Sequence, residues 1–94
     1  MADTLPLIDR FQVTGPYRLH LWFNDGRNGE WDFSRLADDD RPVAARFKDP
    51  AYFARVFLEY GALTWPDGYD LSPVALHDDM TAAGALSLEA ARAA

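Results

Sequence analysis

The chain is 94 residues long and carries a formal net charge of −6, a size that allows one domain with a modest core. It contains no cysteine, which excludes a disulfide framework, a thiolate zinc site and a cysteine nucleophile together. Nine basic residues stand against fifteen acidic ones with no evident Lys/Arg cluster, which argues against direct nucleic-acid binding and against an anionic membrane surface.

Apolar residues make up 49% and aromatic residues 14%, too much hydrophobic side chain for a disordered chain and enough to drive a small fold. No basic region followed by an apolar stretch opens the sequence, and no apolar run approaches the ~20 residues of a membrane helix. The expected location is the cytoplasm.

Residues 7–13 read as a first strand, ended by Gly15-Pro16. Residues 17–23 alternate most clearly, with Leu19, Leu21 and Phe23 on one face and Arg18, His20 and Trp22 on the other. Asn24-Asp25-Gly26-Arg27-Asn28-Gly29 is dense in residues that tolerate positive φ, and Glu30-Trp31-Asp32-Phe33 resumes the alternation. Residues 17–33 are therefore expected to form a hairpin. Ser34 opens a short helical segment that gives way to Asp38-Asp39-Asp40. That triplet reads as a solvated loop, because the alternating ligands and distal Glu of a calcium loop are missing.

Asp49-Pro50 starts one helical turn near 50–54, with Asp49 as cap and Pro50 at the first position. Residues 55–59 and 62–65 pair as a second hairpin across Tyr60-Gly61. Ser72-Pro73 starts a helix near 73–77. From there on an Ala-rich tail, residues 78–94, is expected to be helical or mobile, because isolated short helices are marginal in water. The whole reads as an α+β fold: residues 1–77 form one domain, a small antiparallel sheet of four to five strands with two hairpins and short helices. Its core is expected to hold Leu19, Leu21, Phe23, Trp31, Phe33, Phe53, Val56, Leu58, Leu63 and Trp65.

Two stretches share a grammar. Phe23-Asn24-Asp25-Gly26 precedes Asp32-Phe33-Ser34, and Trp65-Pro66-Asp67-Gly68 precedes Asp70-Leu71-Ser72. Turn chemistry accounts for both: Gly26 and Gly68 supply positive φ, Asp25 and Asp67 bond the turn backbone, and Ser34 and Ser72 cap helices. The functional alternative is a paired carboxylate site from Asp32 and Asp70.

These blocks, with Leu21-Trp22, Trp31 and Phe47-Lys48-Asp49-Pro50-Ala51-Tyr52-Phe53, resemble in order and spacing the small bacterial domain of unknown function 2442 family. The resemblance covers about residues 17–76, and Trp65-Pro66-Asp67-Gly68 is its most specific part. It implies a cytoplasmic α+β domain with an antiparallel sheet, standing alone or fused to a helix-turn-helix domain, and in some members the antitoxin-like half of a two-gene module. It implies no established activity and no catalytic residue. Nothing after Leu76 is long enough for the fused helix-turn-helix form.

Catalytic readings find little support. His20 is expected as a surface or packed residue, and His77 at a helix C-terminus, where a cationic ring suits the dipole. His77-Asp78-Asp79 does not build a metal site, since neighbours in sequence point apart. Ser34, Ser72 and Ser87 lack a nucleophile-elbow pattern, and the single glycines at turns make no phosphate-cradling loop. No cofactor, metal or catalytic residue is expected.

What remains is a protein-interaction module, an accessory or antitoxin-like partner of a second and basic protein. The alternative is a ligand-sensing domain acting on transcription through a partner; a small metal-dependent hydrolase, using Asp32, Asp70 or His77, is third. Trp22, with His20 and Arg18, is the candidate interface, because a large aromatic on the nominally polar sheet face commonly anchors contacts. Its expected cover is the C-terminal segment through Leu86 and Leu88, or a second copy in a homodimer.

Overall fold

Leu19, Leu21 and Phe23 stand at alternate positions in residues 18–23, and a pleated strand puts that apolar set on one side. In the computed structural model, which describes residues 5–88, this stretch is β2 (Arg18–Phe23), whose Leu19, Leu21 and Phe23 are buried. β1 (Ile8–Gly15) lies antiparallel on one side and β3 (Arg27–Asp32) on the other. β3 begins at Arg27, so the turn is shorter than the run of turn-forming residues suggests, and Gly29 is strand rather than turn. It sits opposite Leu21, buried, where a Cβ would collide with the Ala85 carbonyl.

A second sheet is built from β4 (Phe57–Glu59), β5 (Ala62–Thr64) and β6 (Asp70–Leu71), in that order. The α+β class, the antiparallel pairing and both hairpins hold, but the hairpins lie in two sheets. Tyr60 and Gly61, both at positive φ, turn β4 into β5 in the manner a two-residue hairpin loop requires. The first sheet is completed by β7 (Ser87–Leu88), giving the order β1-β2-β3-β7.

The segments between the sheets carry the core. Pro42–Lys48 is a 3₁₀ stretch and α1 (Pro50–Phe53) one helical turn, capped by the Asp49 carboxylate, which accepts from the Ala51 amide at 2.9 Å. Phe47 packs edge-on against Trp65, Tyr52 and Tyr69, and the Trp65 indole donates to the Phe53 carbonyl at 2.9 Å. Such offset aromatic packing adds to the area that these large rings bury.

Of the ten expected core residues, eight are buried; Trp31 and Leu58 are half-buried and pack against the cluster. Leu58 lies on the edge strand β4, and Trp31 lines an open cleft, which explains their partial exposure. Ile8, Ala44, Phe47, Tyr52, Leu76 and Met80 complete the core. Phe47 escaped the sequence reading because a 3₁₀ stretch has no strand or helix periodicity to reveal it.

α2 (Pro73–Ala82) starts at its Ser72 cap, whose Oγ accepts from the Ala75 amide at 3.2 Å. It runs on past residue 77 to Gly84 at φ 72°, where the Gly84 amide donates to Thr81 O and the Ala85 amide to Met80 O. That pair of bonds is a Schellman cap. Residues 78–88 thus belong to the folded body, with Met80 fully buried. Of the rest of the tail expected to be helical or mobile, Ser87–Leu88 is strand and residues 89–94 lie outside the described residues. His77 is accordingly mid-helix rather than at a C-terminus. Ser34 is also not a cap: it is the first residue of a 3₁₀ turn, and its amide donates to Asp32 Oδ1 at 2.8 Å.

Candidate interaction face

Strand parity decides which side chains leave the core. On the outer face of the first sheet Arg10 and Asn28 flank Trp22, Gln12 and Glu30 flank His20, and Asp32 lies beside Arg18. The Arg10 guanidinium carbon sits 3.9 Å from the Trp22 ring centroid, while the His20 ring stacks on Trp22 at 4.3 Å. Trp22 thus contacts both a cation, which the electron-rich indole face favours, and an imidazole. His20 Nε2 is 2.7 Å from Asn28 Oδ1, as its donor.

The rest of the face is an ion-pair lattice. Arg18 Nε donates to Glu30 Oε2 at 2.7 Å, Thr14 Oγ1 donates to the same oxygen, and Arg18 Nη1 lies 3.5 Å from Asp32. The Arg18 bond, then Thr14, holds the Glu30 carboxyl below its ordinary range. The Ser34 amide does the same for Asp32. These groups are exposed, and such pairs fix side-chain direction more than they add stability.

Arg18, His20 and Trp22 therefore share one face, as parity requires. Among the described residues, Leu86 and Leu88 do not cover them. Leu86 packs against the core, and β7 pairs Ser87 with Asn28 and Leu88 with Arg27, extending the sheet sideways at the β3 edge. Beside Trp22, a hollow of about 470 Å³ is lined by Asp9, Arg10, Trp22, Phe23, Asn24 and Gly26.

The turn motifs divide. Gly26 and Gly68 both have positive φ, and Asp25 accepts from the Arg27 amide at 3.0 Å. Asp67 instead pairs with Arg46 Nη1 at 3.0 Å, and the turn closes through Gly68 N to Trp65 O and Trp65 N to Tyr69 O, with Pro66 between. His77 Nε2 lies 2.8 Å from Asp25 Oδ2, a contact unread in the sequence because the two residues are 52 positions apart.

Asp32 and Asp70 do not form a pair. Asp32 lines a cleft of about 410 Å³ with Trp31, Arg35, Asp39, Arg41 and Tyr69, whereas alternation along β6 turns Asp70 away from the side to which Tyr69 and Leu71 point. Bidentate hydrogen bonding to Arg41 lowers Asp39 to about 2. Among the described residues, no three His, Asp or Glu side chains converge as metal ligands would.

One cationic group was missed. Residues 41–55 hold Arg41, Arg46, Lys48 and Arg55 against the single acid Asp49. The structure gathers Arg46, Lys48 and Arg55 around one hollow. A running count of charge along the chain would have found the segment.

The sequence model of the family described as Protein of unknown function (DUF2442) matches residues 8–80. The chain belongs to this family. The match spans β1 to β6 and α2 as far as Met80, so the outer face of β1–β3, the Trp65-Pro66-Asp67-Gly68 turn and the His77–Asp25 contact all lie within the family's domain. No curated protein and no solved structure matches the chain.

Proposed function

We propose that this chain is a small protein-interaction module, working in the cytoplasm, whose outer sheet face docks a second protein through Trp22. The observation that carries the reading is Trp22 itself: a half-buried indole in contact with Arg10 and His20, beside a hollow, on a face that Leu86 and Leu88 do not cover. Tryptophan and arginine at the centre of a polar rim are the residues that dominate binding energy at interfaces. With a net charge of −6, the chain suits a basic partner, which electrostatic steering would bring in quickly. A toxin acting on RNA is one such partner, and the antitoxin-like half of a two-gene module is the matching role. The reading assigns no catalytic residue and no cofactor.

The test is calorimetric titration against the product of the adjacent gene, with Trp22→Ala and Arg10→Glu variants and light scattering of the free chain. Loss of binding by about tenfold or more at an unchanged thermal midpoint supports docking on this face. Binding that both variants leave intact sinks it, as does a free chain that is a dimer through Trp22. A ligand-sensing domain is the second reading, favoured by the cleft of about 410 Å³ between the sheets, a size typical of small-molecule sites.

A further inference from the structure

We propose that the hollow formed by the 3₁₀ stretch and α1 is a binding site for a small phosphate-bearing molecule. It measures about 500 Å³ and is lined by Arg46, Lys48, Asp49, Tyr52 and Arg55, with Ala45 and Ala51 as small walls. Three cations therefore surround one concavity on a chain whose net charge is −6, so the concentration of positive charge is local to this place.

The single carboxylate in the lining is already engaged, since Asp49 Oδ1 accepts from the Ala51 amide. The ion-pair partners of Arg46 and Lys48 lie outside the hollow's lining. Arg46 reaches Asp67 at 3.0 Å and stacks over the Tyr52 ring at 4.9 Å, and Lys48 lies 3.8 Å from Asp40 while donating to the Ala37 carbonyl. Both ion pairs are solvent-exposed, and such pairs are weak enough to be exchanged for a ligand. Arg55 has no ion-pair partner among the described residues.

The arrangement selects its ligand by charge, shape and size. Two guanidinium forks and an ammonium match the two negative charges and the tetrahedral oxygens of a phosphomonoester, which arginine holds by paired N–H bonds. A concavity of this volume fits a small molecule, and the negative charge on the rest of the chain opposes a polyanion such as nucleic acid.

The experiment is amide-resolved NMR titration of the full chain with inorganic phosphate, pyrophosphate and, at matched ionic strength, sodium chloride. Saturable shifts confined to residues 45–55 are expected with both phosphates and not with chloride. Arg46→Ala and Arg55→Ala, both exposed and so tolerated by the fold, should each weaken pyrophosphate by about tenfold. Arg10→Ala and Trp22→Ala should leave it unchanged, which separates this site from the proposed docking face. Shifts that match those of chloride, or that survive in the Arg46→Ala/Arg55→Ala double variant, overturn the proposal. So does a single-stranded oligonucleotide that binds more tightly than pyrophosphate.

Discussion

His77 Nε2 lies 2.8 Å from Asp25 Oδ2, fastening α2 to the turn between β2 and β3. The imidazole and the Phe23 ring pack edge-to-face with centroids 4.9 Å apart, so the polar contact adjoins an apolar one. Burial pushes the Asp25 carboxyl up, but the Arg27 amide and then His77 more than reverse this and hold it below its ordinary value. A carboxyl depressed in the folded state contributes stability above its unfolded pKa of about 4, and that stability is lost as pH falls through the folded value. Because the group is partly exposed, the contribution is about 0.5–1 kcal/mol. Urea unfolding of the wild type and Asp25→Asn should show the variant less stable at pH 7 and the difference shrinking below about pH 4. A constant difference from pH 3 to pH 7 would contradict the assignment.

Trp65 is the largest fully buried side chain, and its indole donates to the Phe53 carbonyl. Trp65→Phe removes that donor and leaves both a void and a carbonyl without its partner. The expected loss is about 2–4 kcal/mol by chemical denaturation, the sum of a cavity and an unmet acceptor. A loss below about 1 kcal/mol would mean that the carbonyl finds another donor.

Gly29 faces the core opposite Leu21, with the Ala85 carbonyl in the place a Cβ would occupy. Gly29→Ala must push away the backbone that follows α2. Destabilisation of about 1–3 kcal/mol is expected. Amide exchange should speed up at Ser87 and Leu88, because β7 pairs with the strand that carries the substitution. Unchanged protection at β7 would show that this approach is not needed for the pairing.

Tyr60 is 92% exposed and has φ 52°, followed by Gly61 at φ 80°. A tyrosine in that conformation costs about 1 kcal/mol, and its exposed ring returns little. Tyr60→Asn places the residue best suited to the first position of such a turn before the glycine. A gain of about 0.5–1 kcal/mol in thermal or urea unfolding is expected. A loss would indicate that the ring makes a contact which outweighs the strain.

The α+β class, both hairpins, the helix starts at Asp49 and Ser72, and most of the core were legible in the sequence. Each depends on chemistry local to a few residues: period-two alternation from Arg18 to Phe23, a glycine at positive φ, a side-chain oxygen one turn before an amide. The shared face of Arg18, His20 and Trp22 followed from the same parity. Tertiary structure decided what local signals do not encode. It split the hairpins between two sheets, carried α2 on to Gly84, sent Ser87–Leu88 to the edge of β3 instead of across Trp22, and joined His77 to Asp25. It also set Asp32 and Asp70 apart and brought Arg46, Lys48 and Arg55 around one hollow. Contacts between distant segments depend on how whole faces pack, and no short window of sequence contains both partners.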